Sequence, residues 1–208
     1  MRLVLVMAVV LTMAGCQLAN PFSEAGSSPT RHMVTVHIRI DDEVIDGGNP
    51  WKVIEPVWWT VDIYDGEAEY ESSLAAFSKE QRYLLAVNWY MAEVSNGGHE
   101  QFYDNSTGIV WKDALAGFRD LGVNEAAEIV EESAIRLGGD PSLDREARWE
   151  QLDAYQPTFD DLDDRFYDLD ERINLDAVMQ AYIMQHREAF YYEGDVSMPS
   201  YFTQTRED

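Results

Sequence analysis

Residues 159–173 read Phe-Asp-Asp-Leu-Asp-Asp-Arg-Phe-Tyr-Asp-Leu-Asp-Glu-Arg-Ile, and their spacing decides the class of the fold. On a wheel at about 100° per residue, Phe159, Leu162, Phe166, Leu169 and Ile173 fall within an arc of roughly 80°. A narrow apolar stripe at that period is one buried face of an α-helix. The other positions carry Asp160, Asp161, Asp163, Asp164, Asp168, Asp170 and Glu171, with Arg165 and Arg172 at the border of the stripe. Asp160 and Asp161 suit the positive end of the helix. The later aspartates do not: Asp is a poor residue inside a helix and like charges four apart repel. Local stability is given up for a negative surface.

The same period runs through the neighbouring sequence. Ser78 and Gln81 form a capping box, and Leu84, Val87, Met91 and Val94 follow at helical spacing up to Asn96-Gly97-Gly98, an expected stop. Trp111 to Leu121 reads as a helix ending at Gly122. Asn124 is expected to cap a helix that ends at Gly138-Gly139, and Ser142 one that reaches Tyr155. Pro157-Thr158 opens the acidic helix, and Asn174 caps a last helix to about His186. Upstream, Val34, Val36, Ile38 and Ile40 alternate with polar residues, and Val57, Trp59, Val61 and Ile63 alternate again. The expectation is a mainly α fold: a compact multi-helix domain over 67–195, preceded by a short β-hairpin or two-strand element within 33–66 and followed by a tail over 196–208. Trp58, Trp59, Trp111 and Trp149 are expected in the core, unless the strand leaves one of the first two exposed.

Composition limits the partners. The 208 residues hold 15 Lys+Arg against 39 Asp+Glu, a net charge of −24. Such a chain repels phosphate, which excludes direct nucleic-acid binding and charge-driven docking on anionic lipid. The single cysteine, Cys16, excludes an internal disulfide framework. It follows Met1-Arg2, an apolar run from Leu3 to Ala14 and Ala14-Gly15, so residues 1–15 read as a lipoprotein-type signal peptide. The run is too short to span a bilayer. Residues 16–32 are then a lipidated cysteine and a tether, and the expected location is the cell envelope, held to the membrane only through the lipid at Cys16. Translation from Met33 would instead leave the chain in the cytoplasm.

One longer pattern adds to this. Glu93-Val94-Ser95-Asn96-Gly97-Gly98, Gln101-Phe102-Tyr103, Asn105-Ser106-Thr107-Gly108, Ala114-Leu115, Phe159 through Tyr167, Tyr182 and Phe190 stand in an order and spacing that resembles the bacterial DNA-mimic protein family. That family usually shows Asn-Asn-Gly-Gly where this chain has Ser95-Asn96-Gly97-Gly98. The resemblance implies a mainly α-helical fold. For at least one branch of the family it implies an acidic surface that occupies the DNA site of a DNA-binding protein. In the loop itself, Gly97 or Gly98 is expected to supply a positive φ, while Asn96, Gln101 and Asn105 pair backbone groups of the loop, which closes at Gly108.

No sequence pattern supplies a reaction. His99-Glu100 begins like a zinc-protease helix, but Tyr103 stands where the second ligand belongs. The aspartate run lacks the glycine that a calcium loop needs. No metal and no cofactor is expected, and His99 reads as a surface histidine beside carboxylates. The function expected from the residues is non-enzymatic: a carboxylate-rich helix face presented to a basic protein, which would be a DNA-binding protein if the chain is cytoplasmic. Two other readings remain at this level. One is an envelope lipoprotein whose acidity serves only solubility or a salty habitat. The other is a small-ligand or enzymatic site at the loop from Asn96 to Asn105.

Overall fold

A computed structural model describes residues 32–202. The expected signal-peptide run, Cys16, most of the expected tether and the last six residues lie outside the described residues. The order is β1 (Met33–Ile40), α1 (Asp42–Asp46), α2 (Pro50–Thr60), α3 (Glu67–Leu74), α4 (Lys79–Asp104), α5 (Trp111–Asp120), α6 (Asn124–Arg136), α7 (Arg145–Tyr155), α8 (Asp160–Arg172), α9 (Leu175–Gln185) and β2 (Tyr192–Pro199). The mainly helical class with a two-stranded element is as expected. None of the described helices is long and apolar enough to cross a membrane.

The second strand is not the expected one. β1 pairs antiparallel with β2, from Met33 opposite Pro199 to Ile40 opposite Tyr192. Residues 57–60, expected to be extended, belong to α2, and the strand lies partly in what the sequence offered as a tail. Two features override the alternation at 57–63. Asn49 accepts a hydrogen bond from the Trp51 N–H, and Pro50 sits in the first turn, where its missing N–H costs nothing. Val53, Ile54 and Val57 then face the core at helical spacing. Pro56 stands inside the helix and removes one backbone bond, which the burial around it offsets.

α4 is the central element, packed against α2, α5, α7 and α8. Its capping box is present: Ser78 Oγ accepts from the Gln81 N–H at 3.0 Å, and Gln81 Oε1 accepts from the Ser78 N–H at 3.0 Å. Leu84, Val87, Tyr90 and Val94 are fully buried along one side. Instead of ending at Gly97-Gly98 the helix breaks there and resumes to Asp104, with Gly98 at φ +74°. Two other caps differ from expectation. Asn124 is the first residue of α6 rather than its cap, and Asp144, not Ser142, caps α7 by accepting from the Ala147 N–H at 2.8 Å. Asn174 caps α9 as expected, through Ala177 N–H at 3.0 Å. Trp111 is in the core, Trp58 and Trp59 are half-buried on a helix rather than a strand, and Trp149 is 39% exposed.

Candidate functional site: the acidic helix and the glycine break

α8 forms where the wheel places it. Leu162 and Phe166 are fully buried, and Phe159 and Leu169 nearly so. Each such side chain contributes about 1.5–3 kcal/mol by leaving water, enough to hold an outer face full of like charges. The helix lies on α6 and α4.

Three arginines tie α8 to α6 along its length. Arg136 of α6 grips both carboxylate oxygens of Asp161 at 2.5 and 2.7 Å and also donates to Glu132 and to the Thr158 carbonyl. Arg165 donates to Glu132 at 2.7 Å, and Arg172 to Glu125 at 2.8 Å. The Arg136 guanidinium holds the Asp161 carboxyl down at about 2. Asp170 moves the other way: partial burial, then the charge of Asp176, push its carboxyl above the ordinary range.

The seven acids of the expected outward face therefore divide. Asp160, Asp164, Asp168, Asp170 and Glu171 are exposed and make no hydrogen bond or ion pair among the described residues. Asp161 is exposed but occupied by Arg136. Asp163 turns inward, a correction to the wheel. One carboxylate oxygen accepts from the His99 backbone N–H at 2.9 Å and meets the His99 ring at Nδ1. The five unpaired carboxylates span about 16 Å at a rise of roughly 1.5 Å per residue, or one per about 4 Å. Phosphates along one DNA strand recur at about 3.4 Å. Unpaired acids also occur on α3 (Glu67, Glu69), α6 (Glu128) and α7 (Glu146, Glu150, Asp153), less densely than on α8.

His99 is not on the surface. It is fully buried, with the Tyr90 hydroxyl 2.5 Å from its Nε2 and the Phe159 ring beside it. An acid–base role at His99 needs contact with substrate, and this ring has no exposed atom to offer. The chain from Asp163 through His99 to Tyr90 instead fastens α8 to the break in α4. Gly98 permits it twice over: its φ is positive, and a Cβ there would collide with the Asp163 carboxylate.

The remaining loop residues brace the same break, though not in the expected manner. Asn96 donates to Gln101 Oε1 at 3.1 Å, while Gln101 and Asn105 both donate to Glu93 Oε2, at 2.7 and 2.9 Å. They pair with one another's side chains and with Glu93, not with loop backbone. The backbone carbonyls are served by a residue the sequence did not single out. Arg148 is fully buried with no carboxylate partner, and it donates to the carbonyls of Tyr103 and Asn105 at 2.6 Å each and of Ser142 at 2.7 Å. Desolvation lowers its guanidinium to about 10. Gly108 leaves the room: a Cβ there would strike the guanidinium. A lone arginine on an amphipathic helix gives no sequence signal for this role, and Gly108 was the only hint of a close approach. Among the described residues, no group of three or more His, Cys, Asp or Glu is arranged to hold a metal ion.

The break, its brace and the acidic helix all lie within one matched segment. A family model described as DMP19-like protein matches residues 75–186, which run from the turn before α4 to the end of α9. No curated protein and no solved structure matches the chain. The match covers more than half of the 208 residues, and the chain belongs to the DMP19-like protein family.

Proposed function

We propose that this protein is a non-enzymatic binding module that presents the outer face of α8 to a basic protein surface, in the manner of a DNA mimic. The observation that carries the reading is the row of five unpaired carboxylates, Asp160, Asp164, Asp168, Asp170 and Glu171, at near-phosphate spacing on a helix clamped from beneath. Clamping matters because a fixed array of charge loses little freedom on binding. Family membership favours a DNA-binding protein as partner. The lipoprotein-type start favours the envelope, where the lipid at Cys16 would hold the chain and the partner would be a basic envelope protein.

Two experiments separate these. In the first, the protein competes with a labelled duplex for basic DNA-binding proteins, followed by fluorescence anisotropy. Displacement that weakens steeply with salt and is lost when the five carboxylates become Asn or Gln supports mimicry; no displacement at low salt overturns it. In the second, cells expressing the wild type or Cys16→Ala are fed labelled palmitate. Label on the wild type alone supports the anchor, and an unlabelled wild type removes it.

A second reading has an observation of its own. The unpaired acids on α3, α6 and α7 are what a chain acidic for solubility would carry. Under that reading the α8 substitutions change binding no more than five equivalent substitutions on α3 and α7.

A further inference from the structure

Away from the acidic helix, a cavity of about 350 Å³ opens between α2 and the strand β1. Its apolar wall is Ile38 and Ile40 from β1, Val44 from α1, Trp51 and Trp59 from α2, and Phe202, whose ring lies 4.6 Å from that of Trp59. Two donors stand on the same stretch of α2. The Trp59 indole N–H is buried and has no acceptor, although a buried indole N–H ordinarily finds one. Among the described residues the exposed Lys52 makes no ion pair, whereas every other Lys or Arg has a carboxylate or carbonyl partner, in a chain with 39 acids. Arg39 in the same wall is already paired with Asp41 at 3.3 Å.

Lys52 and Trp59 lie seven residues apart on one helix face, about 10 Å at roughly 1.5 Å per residue. One small head group does not reach both. A ligand with a carboxylate at one end and a further acceptor about 10 Å along does, and three extended residues of polypeptide cover about that distance.

We propose that this cavity captures a short apolar peptide by its free C-terminal carboxylate. The carboxylate pairs with Lys52, a backbone carbonyl two to three residues upstream accepts from the Trp59 N–H, and aliphatic side chains lie against Ile38, Ile40 and Val44. The proposal does not depend on the acidic face of α8.

The test is calorimetric titration of the full chain with trileucine and with trileucine amide. Trileucine binds saturably, and the amide binds about tenfold more weakly, the scale of one charged hydrogen bond. Lys52→Gln erases the difference between acid and amide, whereas Trp59→Phe weakens both alike by several-fold and keeps the difference. Circular dichroism of each variant checks that the fold is retained. No saturable binding of trileucine, equal binding of acid and amide to the wild type, or an acid–amide difference that survives Lys52→Gln overturns the proposal.

Discussion

At Gly98 and Arg148 single side-chain identities hold the site together. Gly98→Ala puts a methyl group into the Asp163 carboxylate at a φ that L-residues avoid. We expect a loss of about 1–3 kcal/mol from backbone strain, with the carboxylate contact added to it, measurable by urea unfolding. Arg148→Met keeps the length of the side chain and takes the donor from the carbonyls of Tyr103 and Ser142, while the Asn105 carbonyl keeps the Gly108 N–H. The expected loss is about 2–4 kcal/mol, the scale for leaving one buried and one part-buried acceptor unmet. Asp170→Asn has the opposite sign. Because partial burial and the charge of Asp176 raise the Asp170 carboxyl, its charged form opposes folding, and the variant should be as stable as the wild type or slightly more so near pH 7, with the difference vanishing in strong acid when urea unfolding is compared at the two pH values. Gly98 was legible in the sequence as a residue in need of positive φ. Its partner was not, because nothing in a periodic pattern tells which of several aspartates will turn inward to a histidine 64 positions away.

The α6–α8 pair makes its own prediction. Asp161 has a folded value near 2, below the ordinary carboxylate value. A depressed acid contributes stability that is present above its unfolded pKa and is lost as pH falls towards the folded one. The window is therefore from about pH 4 down to about 2. A ¹³C carboxyl titration should find the Asp161 midpoint near 2 in the wild type and back in the ordinary range in Arg136→Met. A midpoint unmoved by that substitution would show that Arg136 does not grip the carboxylate. Helices were the most readable elements, and α8 the clearest, since five apolar residues at one period leave no competing assignment. α2 was misread for a physical reason. Val57, Trp59, Val61 and Ile63 satisfy a period of two, and the Asn49-Pro50 signal that settles the matter lies at the far end of the segment. The pairing of β1 with β2 was out of reach, because register between strands some 150 residues apart leaves no local trace.

Across the whole molecule, charge governs both stability and recognition. Exposed ion pairs such as Arg172 with Glu125 are worth about 0–1 kcal/mol each and weaken with salt. Repulsion among the unpaired acids of a chain at −24 also weakens with salt and acts in the opposite direction. The repulsion involves many more groups, so the melting temperature should rise between 20 and 300 mM added salt, roughly the range over which the screening length falls through 10 Å. A falling melting temperature would mean that the arginine clamps outweigh the field. Composition alone anticipated this balance, whereas the placement of the free carboxylates needed coordinates. The ribbon has a different consequence. Met33 lies opposite Pro199, so β1 must wait for the whole helical stretch to be synthesised before it finds its neighbour. On a ribosome the helices can assemble while β1 stays single, and closure comes only once β2 has left the exit tunnel. A nascent chain stalled at residue 190 should accordingly leave the amides of 33–40 open to rapid hydrogen exchange, with those of α4 already protected.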